Sequence, residues 1–357
     1  MAGADGSAVI RVLLVDDSAL VRRLVTTALQ ADAEISVVGV AVNGRDGVEQ
    51  VKALDPDLVV LDIEMPEMDG LTALDRIRED RPRLPVIMFS TLTARGARQT
   101  LDALGRGASD YLAKPSGAGS LGASIAAVRD ELVPKIKALV GARRVAGLPS
   151  ARPAPVTQPV RRRLVRTAPD ALLIGCSTGG PDALAQVLSQ LPAAFGLPIA
   201  VVQHMPPVFT GMLAQRLDGV SALRVREAAE GDVMEPGQVL VAPGDRHLRL
   251  RRVGAKVSVR LTEEPPENFC RPAVDVLFRS ALEVYGGNVI AVILTGMGQD
   301  GLRGTEALAA RGAQVLAQDQ ASSVVWGMPG AVVGAGLANE VLALPAIPAR
   351  LRGLAEG

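Results

Sequence analysis

One serine, two histidines and several strand-end carboxylates are the residues of this chain whose type and setting could do chemistry. Ser177 lies in Gly175-Cys176-Ser177-Thr178-Gly179-Gly180, between an apolar run, 171–174, and a helix-like segment opening at Pro181. A serine on a tight strand-to-helix turn is held clear of its own backbone beside the positive end of a helix dipole, which suits a nucleophile. Small residues that merely turn the chain would look the same, so the motif alone decides nothing. A serine hydrolase working near neutral pH needs a base, most often histidine, and His204 and His247 are the two available. His204 ends an apolar strand-like run, 198–203, before the turn-forming Met205-Pro206-Pro207; His247 sits in APGDRHLRLRR, which reads as half of an antiparallel hairpin with 256–262. A parallel-strand end favours His204. Asp300, in the loop after the apolar strand 288–294, could orient His204 and stabilise its protonated form. The glycines around Met297 free backbone N–H groups for a developing oxyanion.

The same loop fits a rival. Gly296, Gly298 and Gly301 spell G-x-G-x-x-G between a strand and a helix, with Asp319 at the end of a later strand, the form of a dinucleotide-binding fingerprint. Against it, Asp300 inside the loop would repel a pyrophosphate, and too little chain follows Asp319 to complete a mononucleotide-binding half. The order Ser177, His204, Asp300 also excludes the α/β-hydrolase fold, whose triads run Ser-Asp-His.

A second constellation lies in the first half. Asp16-Asp17 end one strand, Asp62 another, and Glu64 follows two residues later. Aspartates gathered at one sheet edge repel unless a cation is present, and hard oxygen ligands suit Mg2+. Ser90 and Lys114, at neighbouring strand ends, could bind the oxygens of a phosphoryl group carried on Asp62. Singly each has a plain reading, a helix cap or a solvated charge; the joint spacing is what carries information.

The elements that must position these groups follow from periodicity. Strands are predicted over 9–15, 35–42, 58–62, 86–90 and 111–113, alternating with helices over 18–30, 45–54, 71–79, 95–104 and after Ser120. Such alternation implies a parallel sheet covered on both faces, with its chemistry at the carboxyl ends of the strands. A helical pattern over 125–140, with Pro134 as a candidate kink, gives way to a Pro- and Arg-rich stretch that reads as a tether. Seven arginines fall between Arg143 and Arg166, but no aromatic residue is interleaved for base stacking, so a solvated linker is preferred to a nucleic-acid patch. A second α/β pattern starts at Ala171, with a helix expected over 181–191.

Composition narrows the classes. At 357 residues the chain is long enough for two domains, and its formal net charge of zero offers no global attraction to nucleic acid or an anionic membrane. No apolar run reaches the roughly 20 residues of a membrane span, and the N-terminus does not read as a signal peptide. Cys176 and Cys270, the only cysteines, are too few for a disulfide framework. A cytoplasmic location is expected.

Two resemblances gather these observations. VLLVDDS, LDIEMPEMDG, FSTLT and YLAKP, over residues 9–127, resemble the receiver domain of two-component response regulators. That implies a flavodoxin-like (βα)5 domain in which Asp62 accepts a phosphoryl group from a histidine kinase. Asp16, Asp17 and Asp62, with a backbone oxygen of Glu64, would hold Mg2+; Lys114 would contact the phosphoryl group, and Ser90 and Tyr111 would be the switch residues. IGCSTGGPDAL, VVQHMPPVFTGMLAQRLD, RPAVDVLFRSA and VILTGMGQDG, within 168–355, resemble the catalytic domain of the CheB family of chemotaxis methylesterases. This implies a doubly wound, mainly parallel α/β domain with an antiparallel hairpin, and residues 128–167 as helical extension and linker.

By that resemblance Ser177 is the nucleophile, His204 the base and then acid, Asp300 its orienter, and Met297 with Thr178 the oxyanion support. The implied reaction is hydrolysis of glutamate γ-methyl esters on methyl-accepting chemoreceptors, with deamidation of receptor glutamines. The implied phosphodonor is a kinase of the CheA type, with no cofactor at the esterase site, no nucleic acid and no membrane insertion. The resemblance further implies that the unphosphorylated receiver packs over the catalytic face. Ala273, Gln320 and Trp326 depart from the family's commonest pattern and touch only local loop contacts. A non-catalytic adaptor is the alternative function.

Overall fold

The computed structural model describes residues 9–115, 120–146 and 168–356. Of the tether expected over 141–167, residues 141–146 are helical and residues 147–167 lie outside the described residues. The chain divides into two units, one up to Val145 and one from Ala146.

The first unit builds β1 (Ile10–Val15), α1 (Ala19–Gln30), β2 (Ile35–Ala41), α2 (Gly44–Leu54) and β3 (Leu58–Asp62). It continues through α3 (Gly70–Asp80), β4 (Val86–Ser90), α4 (Ala94–Gly105), β5 (Asp110–Ala113) and α5 (Leu121–Ala146). The strands pair in parallel in the order β2-β1-β3-β4-β5. β3 and β4 are buried at every residue, which is why they read as continuous apolar runs rather than alternating ones. Side-chain caps start the helices where the sequence places short polar residues: Ser18, Asn43, Asp69 and Thr93 each accept from a backbone N–H of the first turn. α5 runs through Pro134 and past the expected end at residue 140.

The second unit opens with β6 (Ala171–Cys176), α6 (Gly180–Leu188), β7 (Ile199–Gln203), α7 (Phe209–Asp218), β8 (Arg224–Glu227) and β9 (Gln238–Val241). The hairpin β10 (His247–Val253) and β11 (Lys256–Thr262) follows, then α8 (Val274–Tyr285), β12 (Val289–Ile293), α9 (Leu302–Ala310) and β13 (Gln314–Gln318). α10 (Met328–Gly334), β14 (Glu340–Leu342) and α11 (Ile347–Ala355) complete it. Seven strands form one parallel sheet in the order β14-β13-β12-β6-β7-β9-β8. The chain winds from β6 through β7 towards β8 on one side, and β12, β13 and β14 extend the other side, so the order reverses between β6 and β12. That switch point is where an open parallel sheet leaves a crevice at the carboxyl ends of its strands. α8 buries Leu277, Phe278 and Ala281 in the core shared with β6, β12 and the hairpin, and Ser280 Oγ accepts from Leu250 N at 2.9 Å to dock the hairpin on it.

Two expectations need adjustment. α6 ends at Leu188 rather than at 191, because Leu191 is pinned in a turn by its N–H to the Leu188 carbonyl. β8 and β9, four residues each, were not foreseen; a four-residue strand gives too short a run to show a period.

Candidate active site and phosphoacceptor pocket

Strand register brings the first two groups together. β6 pairs with β7 up to Cys176↔Gln203, so the next residues out of the sheet are Ser177 and His204, on strands about 4.8 Å apart. His204 N donates to Cys176 O at 3.2 Å. On the other side β12 pairs with β6 up to Ile293↔Gly175, and Ser177 N donates to Thr295 O at 3.0 Å. The loop from Thr295 to Gly301 therefore leaves the sheet alongside Ser177 and returns Asp300 to the crevice.

There Asp300 Oδ2 lies 2.8 Å from His204 Nε2. With Asp300 ionised, Nε2 carries the proton and donates it, which leaves Nδ1 as the basic nitrogen. The carboxylate is buried and takes four further donors: Val274 N at 2.6 Å, Asp275 N at 3.2 Å, Gly301 N at 3.0 Å and Asn268 Nδ2 at 2.9 Å. Burial raises its pKa, but the bond from His204, its charge, and the amide and Asn268 donors outweigh this and hold Asp300 below the ordinary carboxylate value. For His204 burial opposes the charged form, while Asp300 and the neighbouring Cys270 outweigh it and lift the imidazole above its ordinary range. Among the described residues, no hydrogen bond joins Ser177 Oγ to His204; such a contact often closes only on substrate.

Because His204 is held above its ordinary value, its protonated form persists past neutrality and the basic form grows as pH rises. We expect the His204 ring to titrate above the usual histidine range by NMR, with Asp300→Asn bringing the midpoint down; the chain has just two histidines to assign. An unshifted midpoint in both proteins would break the pairing. His247 is fully buried and committed elsewhere: Nδ1 accepts from Ala273 N at 3.2 Å, leaving Nε2 to donate to Pro265 O at 3.1 Å.

Two residues that the sequence reading did not single out hold the site. Gln203 Nε2 donates to Ser177 O at 3.0 Å and to His204 O at 3.1 Å, tying both strand ends together. Asn268 bridges Asp300 and Asp275. Their only signal in the sequence is adjacency to segments already singled out, since a polar residue beside a turn looks like any loop polarity. Ala273 stands at the N-cap of α8 with no side chain able to cap it, where a serine would accept from the first turn.

Thr178 follows the nucleophile directly, and Gly296, the residue before Met297, comes close to it. A Cβ on Gly296 would meet Ser177 Cβ at 3.0 Å and run into Met328 Sδ, so glycine lets the backbone before Met297 approach this closely. Thr178 O accepts from Thr295 Oγ1 at 2.9 Å, which fastens the nucleophile turn to the same loop. Gly179, at φ 77°, makes the left-handed step into α6. These contacts also correct the dinucleotide alternative. Gly296 O accepts from Gly327 N and Met328 N, Gly296 N donates to Val325 O, and Asp300 is turned inward onto His204. The Gly296 backbone is thus engaged with the 325–328 segment and Gly301 N with Asp300 instead of being free for a pyrophosphate.

The CheB methylesterase family model matches residues 172–351, and the response regulator receiver model matches residues 12–126. A protein of Nocardioides sp. named protein-glutamate methylesterase/protein-glutamine glutaminase is 53% identical over 339 residues, 94% of this chain and 92% of its own. The chain belongs to the CheB methylesterase family. A Trichodesmium erythraeum protein of the same name is 49% identical, covering 94% of this chain and 96% of its own. The Thermotoga maritima CheB methylesterase catalytic domain, a crystal structure, is 45% identical and matches at a TM-score of 0.52 over 53% of this chain and 100% of that one. The second unit is thus the methylesterase domain of that family and the first unit its receiver. Among the described residues no helix is long and apolar enough to cross a membrane.

In the receiver the predicted acidic residues meet at the carboxyl edge. Carboxylate oxygens of Asp16, Asp17 and Asp62 lie within 4.8 Å of one another. Lys114 Nζ reaches Asp62 Oδ2 at 2.8 Å and Asp16 Oδ2 at 2.9 Å. Burial pushes the Asp62 pKa up to about 6, with Lys114 pulling it down and Asp16 adding to the rise. Asp17, Glu64, Ser90 and Lys114 line the same open pocket of about 210 Å3. This all-oxygen donor set of hard carboxylates fits Mg2+, on which receiver phosphorylation generally depends. Ser90 Oγ accepts from Thr100 Oγ1 at 2.7 Å. Tyr111 is buried, with Lys135 Nζ 5.4 Å from its ring centroid.

Proposed function

We propose that this chain hydrolyses glutamate γ-methyl esters on methylated chemoreceptors, and deamidates receptor glutamines, under control of phosphorylation at Asp62. One observation carries the esterase reading most strongly: the 2.8 Å bond between His204 and Asp300, with His204 at the strand end opposite Ser177. Ser177 Oγ attacks the ester carbonyl as His204 Nδ1 takes its proton. His204 returns that proton to the departing methoxide, and methanol leaves. Water, deprotonated by His204, then attacks the acyl-serine; the collapsing intermediate releases glutamate and Ser177 recovers its proton. Asp300 stays ionised throughout and stabilises the imidazolium. Backbone N–H groups at Met297, with Thr178, meet the oxyanion. An amide substrate differs chiefly in needing its leaving nitrogen protonated, which His204 in its acid role supplies.

In the receiver, Asp62 is the phosphoacceptor, and Asp16, Asp17, Asp62 and a backbone oxygen of Glu64 would hold Mg2+. The ion neutralises charge on the transferring phosphoryl group when bound. Lys114, already between Asp16 and Asp62, pairs with the phosphoryl oxygens, and Ser90 and Tyr111 relay the change. The donor is a histidine kinase of the CheA type.

The test is methanol release from methylated receptor by the full chain, with and without a small-molecule phosphodonor. Release that rises with the donor supports both halves of the proposal. Asp62→Ala should remove the rise; a variant still stimulated by phosphodonor would exclude Asp62 as the acceptor. No methanol release under either condition would leave a non-catalytic adaptor.

A further inference from the structure

The hydrolytic scheme uses no thiol, yet Cys270 lies against its base. A His204 ring nitrogen, Cys270 Sγ and an Asp300 carboxylate oxygen all lie within 4.8 Å of one another, and Cys270 is partly exposed. The thiol is held there by a tight turn. Glu267 and Cys270 exchange backbone hydrogen bonds at 3.0 and 2.9 Å, and the two residues between them, Asn268 and Phe269, adopt left-handed φ of 52° and 64°. Both ends of the turn are anchored: Arg279 Nη1 donates to Glu267 Oε1 at 2.7 Å, and Asn268 bridges to Asp275 and Asp300. Cys270 therefore faces His204 as part of a built structure.

We propose that His204, Cys270 and Asp300 form a binding site for a zinc-class divalent cation, with the fourth coordination position open to water. Thiolate, imidazole and carboxylate together are a borderline-soft donor set, matched by zinc rather than by magnesium. Zinc bonds of about 2.0 to 2.3 Å place tetrahedral donors roughly 3.3 to 3.7 Å apart, so the thiol must draw in by no more than about 1.5 Å while the 2.8 Å His204–Asp300 pair opens slightly to admit the ion. The partial exposure of Cys270 gives the ion a way in. The backbone donors on Asp300, Val274 N, Asp275 N and Gly301 N, orient the carboxylate as outer-shell partners orient a ligand. The first unit's cluster, three carboxylates without nitrogen or sulfur, selects the harder ion, so the chain separates two metals by donor chemistry alone.

Binding requires the thiol and the ligating His204 nitrogen to release their protons to solvent. It also withdraws His204 from proton transfer and breaks its bond to Asp300. The bound ion is thus a reversible inhibitor of the esterase; this consequence rests on the proposed function, whereas the site itself does not.

The experiment uses the metal-free full chain with excess Mg2+ to satisfy the oxygen-only site. Co2+ titration should produce a thiolate-to-cobalt charge-transfer band in the near ultraviolet, absent in Cys270→Ser. It should need at least about tenfold more Co2+ in His204→Ala, since even outer-shell changes cost tenfold or more. In parallel, Zn2+ should stop methanol release, a chelator should restore it, and Cys270→Ser and Cys270→Ala should each need at least about tenfold more Zn2+ for the same inhibition. Wild-type chain without the band, or both cysteine variants inhibited at the wild-type Zn2+ concentration, overturns the site. A metal-free chain that shows the band but never releases methanol leaves the site standing and removes the esterase.

Discussion

Ser177→Ala should lower methanol release by roughly four to six orders of magnitude, the loss seen when a serine nucleophile is removed from a working triad. His204, Asp300 and the oxyanion support are left in place, but no atom remains to form the acyl-enzyme, and direct attack by water recovers only a small residue of the rate. The variant should stay folded. Its three structural contacts all fall on its backbone, Ser177 N to Thr295 O, Gly180 N to Ser177 O and Gln203 Nε2 to Ser177 O, and all survive in alanine, so stability should change by no more than about 0.5 kcal/mol. Methanol release and thermal unfolding measured on the same preparation separate the cases. Substantial turnover by a well-folded Ser177→Ala protein would show that another residue is the nucleophile.

Asp300→Asn should cost about four orders of magnitude in kcat by the same reasoning applied to the orienting carboxylate, and here stability should fall as well. Both carboxylate oxygens serve only as acceptors, for His204, Asn268 and the amides of Val274, Asp275 and Gly301. An asparagine must turn its NH2 towards some of those donors, a loss of about 2 to 4 kcal/mol for a buried charge-assisted network. The pH dependence gives an independent check. Burial works against the charge, but His204 and the amide donors hold the Asp300 pKa below its ordinary value, so its contribution is present above about pH 4 and is lost as pH falls through the lowered value. The gap in unfolding temperature between wild type and Asp300→Asn should therefore be wide at neutral pH and narrow in acid. A gap independent of pH would mean that the ionised carboxylate is not what the fold relies on.

Methanol assays on these two variants distinguish roles that geometry places side by side. Ser177→Ala isolates the attacking group with little change in stability. Asp300→Asn couples chemistry to packing, because one side chain both orients His204 and joins α8 to the loop after β12.

Much of this was legible before any coordinates. The receiver's alternation was readable because buried parallel strands leave continuous apolar runs and capped helices leave short polar starts, both local signals. The settings of the two histidines were also readable, since His204 follows an apolar parallel-strand run and His247 lies in an alternating hairpin sequence. Ser177 and Asp300 stood out as turn residues after apolar runs, although nothing in the sequence measured the space between them.

What only tertiary structure decided is non-local. His204 and Asp300 are 96 residues apart in the chain, and their contact exists because β7 and β12 flank β6 at the point where the winding of the sheet reverses. Asn268 and Cys270 were invisible as site residues because their turn reaches His204 and Asp300 only once α8 is packed beneath the crevice. The short strands β8 and β9 escaped notice because four residues carry too little pattern. Side-chain types and local periodicity are written along the chain; which strand ends become neighbours depends on sheet order and register, which are set by packing between segments far apart in sequence.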